Sequence, residues 1–66
     1  MLWAYTDNTG VERLGTVERT VDHGGTDVTY FMRREPDPGS ELPGKVDVLQ
    51  GTYMKRTGAQ PIAYQT

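Results

Sequence analysis

The chain has 66 residues, no cysteine, and seven basic against nine acidic side chains, for a net charge of −2. That length accommodates one domain, the absence of cysteine excludes disulfide frameworks and thiolate metal sites, and the scattered charge lacks the basic stripe of a phosphate-backbone binder, which disfavours nucleic acid as a partner. With 35% hydrophobic residues and about 60% of the unfolded surface buried at this size, the expected core is thin and the expected stability about 3 to 5 kcal/mol.

Leu2 to Thr6 is bulky and runs into Asp7-Asn8-Thr9-Gly10. There Asp and Asn can bond their own backbone and Gly accepts positive φ, so a strand and a turn are predicted. From Val11 to Asp22, Val11, Val17 and Val21 fall on one face and Glu12, Thr16, Glu18, Thr20 and Asp22 on the other, the period of a half-buried strand. Leu14 is out of phase, and a bulge or bend at Gly15 is the expected cause. His23-Gly24-Gly25-Thr26 is a hairpin signal. It predicts an antiparallel return over Asp27 to Arg34, with Val28, Tyr30 and Met32 on one face and Thr29, Phe31 and Arg33 on the other. One of the two adjacent aromatics must point away from the core.

Glu35 to Gly44 holds three of the four prolines and reads as loop. Lys45 to Gln50 alternates again, Val46 and Val48 against Asp47 and Leu49, before a break at Gly51-Thr52 and a last short strand around Tyr53 to Arg56. Residues 57–66 read as a tail, either an edge strand through Ile62 and Tyr64 or a disordered end. No ten-residue segment has helical period. The expected fold is all-β, with residues 1–56 forming a small barrel of about five antiparallel strands, since bending such strands into a barrel removes exposed edges.

The two ends of the chain resemble those of an SH3-like barrel. Leu2-Trp3-Ala4-Tyr5 is similar to the opening ALYDY-type strand of SH3 domains, and Val48-Leu49-Gln50-Gly51-Thr52-Tyr53-Met54-Lys55 resembles their closing stretch of strand, helical turn, Tyr and apolar residue. The likeness extends equally to Tudor-like and KOW-like barrels. In SH3 domains that bind polyproline, an aromatic groove uses the opening Tyr, a mid-chain Trp and the closing Tyr, so the resemblance would place Tyr5 and Tyr53 in such a groove. The chain departs from that pattern: its only Trp is Trp3, and Gln50-Gly51 stands where a proline is usual. A shared fold does not carry a shared function.

Residues for chemistry are sparse. His23 is the only imidazole, with Asp22 and Asp27 as candidate partners, and a polar residue beside a Gly-Gly turn accounts for it without catalysis. One His and dispersed carboxylates give none of the zinc or calcium spacings, and no nucleophile elbow, P-loop or dinucleotide fingerprint is present. No enzyme activity, cofactor, metal or small-molecule substrate is therefore expected. Met1 to Tyr5 is too short for a signal segment, and no apolar run nears the roughly 20 residues that cross a bilayer, so a cytoplasmic protein without a membrane partner is expected.

The leading functional expectation is a non-catalytic interaction or assembly module that docks a protein partner, or a second copy in a homo-oligomer, through Tyr5, Phe31, Arg33 and Tyr53. Exposed aromatics and arginines are the usual energetic centres of interfaces. Trp3 and Tyr5 share a face opposite Leu2 and Ala4, and that face is either the core or an aromatic surface patch. The alternative is a nucleic-acid-associated barrel using Arg33, Arg34, Lys55 and Arg56, basic pairs near aromatics as in single-strand binders, although Glu35, Asp37 and Glu41 would repel nearby phosphates. Five arginines to two lysines, with abundant Gly, Thr, Val and Asp, is the usage of GC-rich genomes, including actinobacteria and their phages, and suggests a small protein from such a source.

Overall fold

The computed structural model describes residues 1–25 and 27–62. Thr26 of the expected hairpin turn and Tyr64 of the expected edge strand lie outside the described residues. The chain is mostly β, with β1 (Leu2–Thr6), β2 (Glu12–Asp22), β3 (Val28–Arg34), β4 (Val46–Gln50), a short helix α1 (Gly51–Thr57) and β5 (Gln60–Pro61). The strands form one antiparallel sheet in the order β4-β3-β2-β1-β5.

In that order β2 and β3 separate β1 from β4, which in a flat sheet would leave them about 14 Å apart. Yet Asn8 Nδ2, just past β1, donates to the Val48 carbonyl at 3.1 Å, and the Tyr5 hydroxyl donates to Asp47 Oδ2 at 2.8 Å. The sheet is therefore strongly curled. Among the described residues its two edges, β4 and β5, are not joined by backbone hydrogen bonds.

Strand alternation sorts the side chains onto two faces. The concave face carries the core of Tyr5, Met32, Leu49 and Met54, with Trp3, Val17, Tyr30, Tyr53 and Ala59 packed around it. By pairing register, Leu2, Ala4, Leu14, Thr16, Phe31, Arg33, Val46 and Val48 share the convex face. Phe31 is thus the aromatic that points away from the core.

The expected bulge at Gly15 is displaced. Pairing runs unbroken through Leu14, Gly15 and Thr16, and the register shifts instead between Val17 and Arg19. Leu14 is out of phase because it sits on the convex face, half exposed. Gly15 answers to a close approach: a β-carbon there would collide with the Arg33 carbonyl. The bulge sends both Glu18 and Arg19 to the convex side, where they meet Arg33 and Phe31. It also separates valines expected on one face, since Val17 packs against the core while Val21 follows Arg19 onto the other side. Val11 precedes the strand and is exposed.

The strand expected around Tyr53 to Arg56 is a helix. Tyr53 and Met54 are neighbours that both pack on the core, which a strand's alternation forbids and a helix allows. Gly58, in the left-handed region at φ 80°, ends α1 by donating to the Lys55 carbonyl, and Ala59 donates to the Met54 carbonyl. Lys55 and Arg56 sit in the last turn, where cations favour the helix dipole. The chain then turns back so that Gln60–Pro61 pairs with Trp3 and Ala4.

Candidate functional site

The first turn is built around the Asp7 carboxylate. Its Oδ1 accepts the Thr9 amide at 2.8 Å, the Thr9 hydroxyl at 2.6 Å and the Val11 amide at 3.0 Å. Its Oδ2 accepts Arg13 Nε at 2.8 Å and Arg34 Nη2 at 3.3 Å. An Asp followed two residues later by a Thr is a local turn signal, but the arginines come from β2 and the end of β3. Asp7 itself is buried, at 1% exposure.

Arg34 links this turn to β4. Its Nε and Nη2 each donate to Asp47 at 2.7 Å, and Asp47 also accepts the Tyr5 hydroxyl. Tyr53, from α1, donates its hydroxyl to the Asp7 carbonyl at 2.6 Å. One connected network therefore ties β1, β2, β3, β4 and α1 together at one end of the concave face. Among the described residues no buried side-chain nitrogen or oxygen lacks a hydrogen-bond partner.

The electrostatics follow from these contacts. The Thr9 hydroxyl and the Arg13 guanidinium hold the Asp7 carboxyl far below the usual carboxylate range. Arg34, and then the Tyr5 hydroxyl, lower that of Asp47. Burial, reinforced by the Asp47 charge, raises the Tyr5 phenol, and Asp47 raises Arg34 further. All four groups keep their ordinary neutral-pH charge states, and each is engaged by a neighbour. The network acts as a brace.

The convex face differs. Leu14, Val46 and Val48 are 48%, 36% and 49% exposed, and Phe31 is covered on one side by the Arg19 guanidinium, 3.9 Å from the ring centre. The face presents Leu14, Val46 and Val48 to solvent among the charged Glu18, Arg19 and Arg33.

No protein-family model, curated protein or solved structure matches this chain. The function must therefore be read from its own geometry.

The residues expected to bind a protein partner are split between the two faces. Tyr5 is a core residue, 3% exposed, with its hydroxyl bound to Asp47, which corrects its expected place on a docking surface. Tyr53 is half-buried against the same core. Phe31 and Arg33 lie on the convex face, where Arg33 donates to Glu18 at 2.7 Å and to the Gly44 carbonyl at 2.9 Å. The residues of the nucleic-acid alternative are dispersed as well. Arg33 and Arg34 project to opposite faces and both are ion-paired, while Lys55 and Arg56 are exposed on α1, Arg56 lying 5.5 Å from the centre of the Tyr53 ring.

His23 is exposed, with Nε2 2.9 Å from the Thr29 hydroxyl. Among the described residues, no three His, Asp or Glu side chains are grouped to hold a metal ion, and no helix is long and apolar enough to cross a membrane. Sequence reasoning missed Asp7, Arg13 and Asp47 as a structural network and Val46 and Val48 as a solvent-facing pair. One signal was available: alternation places Asp47 on the same face as Leu49, and an acid on a core-facing position calls for a cation or hydrogen-bond donor against it.

Proposed function

We propose that this chain is a non-catalytic interaction module, built as a small SH3-like barrel, that docks a protein partner on its convex face around Phe31, Arg33, Val46 and Val48. The solvent exposure of Val46 and Val48 beside Phe31 carries this reading, because adjacent apolar side chains left open on a small domain mark a contact surface. The barrel reading is supported by the strand order, by the helical segment between the last two strands, and by the contacts that Asn8 and Tyr5 make with β4 across the curl.

The chemistry-bearing side chains of the concave face brace one another, so the convex face is the part of the sheet available to a partner. The test is affinity capture from an extract of the native organism, with wild-type chain and a Val46→Asp/Val48→Asp variant side by side, and sedimentation of each alone. The expected result is a protein retained by wild type and lost with the variant, or a wild-type oligomer that the variant dissociates. Identical captured proteins for the two chains, both sedimenting as monomers, would overturn the proposal.

A further inference from the structure

A cleft of about 610 Å³ opens where the start of β2 meets the loop that follows β3. Leu14, Leu42 and Pro43 give it an apolar lining, and Leu42 is 74% exposed. The loop that presents Leu42 is a bonded structure. The Ser40 amide donates to the Asp37 carbonyl at 2.9 Å, and the Leu42 amide donates to the Ser40 hydroxyl at 3.2 Å. At its base the Glu35 amide donates to the Leu14 carbonyl at 2.9 Å and the Arg34 amide to the Lys45 carbonyl at 2.8 Å. Gly44 is required there, because a β-carbon would collide with the Arg34 carbonyl.

The charge around the cleft is one-sided once the bound groups are removed. Arg13 and Arg34 line it, but Asp7 and Asp47 stand directly behind them and balance both. Among the described residues, the other charged members of the lining, Glu12, Glu35, Asp37 and Lys45, make no ion pair. Three carboxylates against one lysine leave the cleft at −2. The charges elsewhere in the chain cancel, so the net charge of the whole protein is the charge of this cleft.

We infer that the cleft takes an extended basic segment of a partner protein, with an apolar side chain seated on Leu14, Leu42 and Pro43 and flanking cations against Glu12, Glu35 and Asp37. The inference rests on reading the chain as an interaction module and adds the chemistry of the partner. Charge complementarity selects the occupant: an acidic or neutral segment would leave the three carboxylates facing like charge or apolar surface.

The experiment is a titration of the isotope-labelled full chain, followed by amide chemical shifts, with two synthetic probes: the capped peptide KLKLK and its acidic counterpart ELELE. The expected result is saturable shifts centred on Leu14, Leu42 and Gly44 with the basic peptide only, weakened by added salt. A Glu35→Gln/Asp37→Asn variant should bind about three- to tenfold more weakly, and a Leu42→Ser variant should also lose affinity. Both change exposed positions, and a dispersed amide spectrum verifies that each is folded. The inference is overturned by no saturable shifts at low salt, by equal binding of the acidic peptide, or by cleft shifts that depend on protein concentration without peptide, which would make a second copy the occupant. Shifts confined to Val46 and Val48 would also overturn it while leaving the proposed convex-face function standing.

Discussion

The two faces of the same curled sheet are built on opposite principles. The concave face carries paired charge: Asp7, Arg13, Arg34 and Asp47 interlock with Tyr5 and Tyr53, next to a core that holds, among the described residues, four buried apolar side chains. The convex face leaves apolar side chains exposed, with Leu14, Val46 and Val48 open to solvent. The usual arrangement is partly inverted, and the reason is size. A chain this short has little core volume, and Asp47, held bidentately by Arg34 of the neighbouring β3, accepts the Tyr5 hydroxyl from β1 across the curl, with a directionality that aliphatic packing lacks. The valines on the other side are left open to solvent.

The contrast is open to experiment, and the largest effect is expected in the core. Met32 is fully buried, and Met32→Ala should cost about 2 to 5 kcal/mol, comparable to the whole stability expected at this size. Urea unfolding followed by circular dichroism should show little or no folded baseline. If the variant unfolds like wild type, the concave side is not the core.

Next comes the link across the curl. Tyr5→Phe removes the hydrogen bond to Asp47 while keeping the ring, and should destabilise by about 1.5 to 3 kcal/mol because the acceptor is charged. Acid supplies a related test. The Asp7 and Asp47 carboxyls are held below their ordinary values, so the folded state binds fewer protons than the unfolded state through the carboxylate range. The stability they contribute is therefore present above the unfolded value near 4 and is lost as pH falls below it. Thermal unfolding between neutral pH and about pH 3 should show a declining midpoint. A midpoint that rises on acidification would contradict the brace.

Smaller effects are expected on the convex side. Arg33→Ala removes an exposed ion pair with Glu18, and the double-mutant coupling between them should be about 0.2 to 1 kcal/mol. Val48→Thr should change stability by less than about 0.5 kcal/mol yet reduce partner capture. A large loss of stability from Val48→Thr would show that the convex face belongs to the core after all.

Much of the strand layout was legible from local signals. Alternation and the turn residues at Asp7 to Gly10 and at Gly24-Gly25 locate the first four strands to within about a residue, well inside the usual boundary error. What was not legible depends on distance. Nothing near Gly15 reveals that the Arg33 backbone passes against it, so a glycine needed for close approach reads like a bulge. Glu18, the extra residue at the register shift, carries no Gly or Pro to mark it. Val46 and Val48 look more apolar than Asp47 and Leu49, and pattern alone does not say that Arg34 and Tyr5 wait on the other face to receive the aspartate. The helix at Tyr53 was hidden by its length, since a seven-residue segment offers too few turns to display a period.

A polar network works beside the thin core to hold the curl together, and it centres on Asp7, where β2, β3 and α1 converge on one turn. Urea unfolding of Asp7→Asn beside wild type at neutral pH tests it most directly. An asparagine keeps the size and part of the local turn bonding but presents no charge to Arg13 and Arg34. The account predicts a sharply lower midpoint and, on acidification, a smaller further loss than wild type shows. An unchanged midpoint, with the wild-type acid response intact, would contradict it.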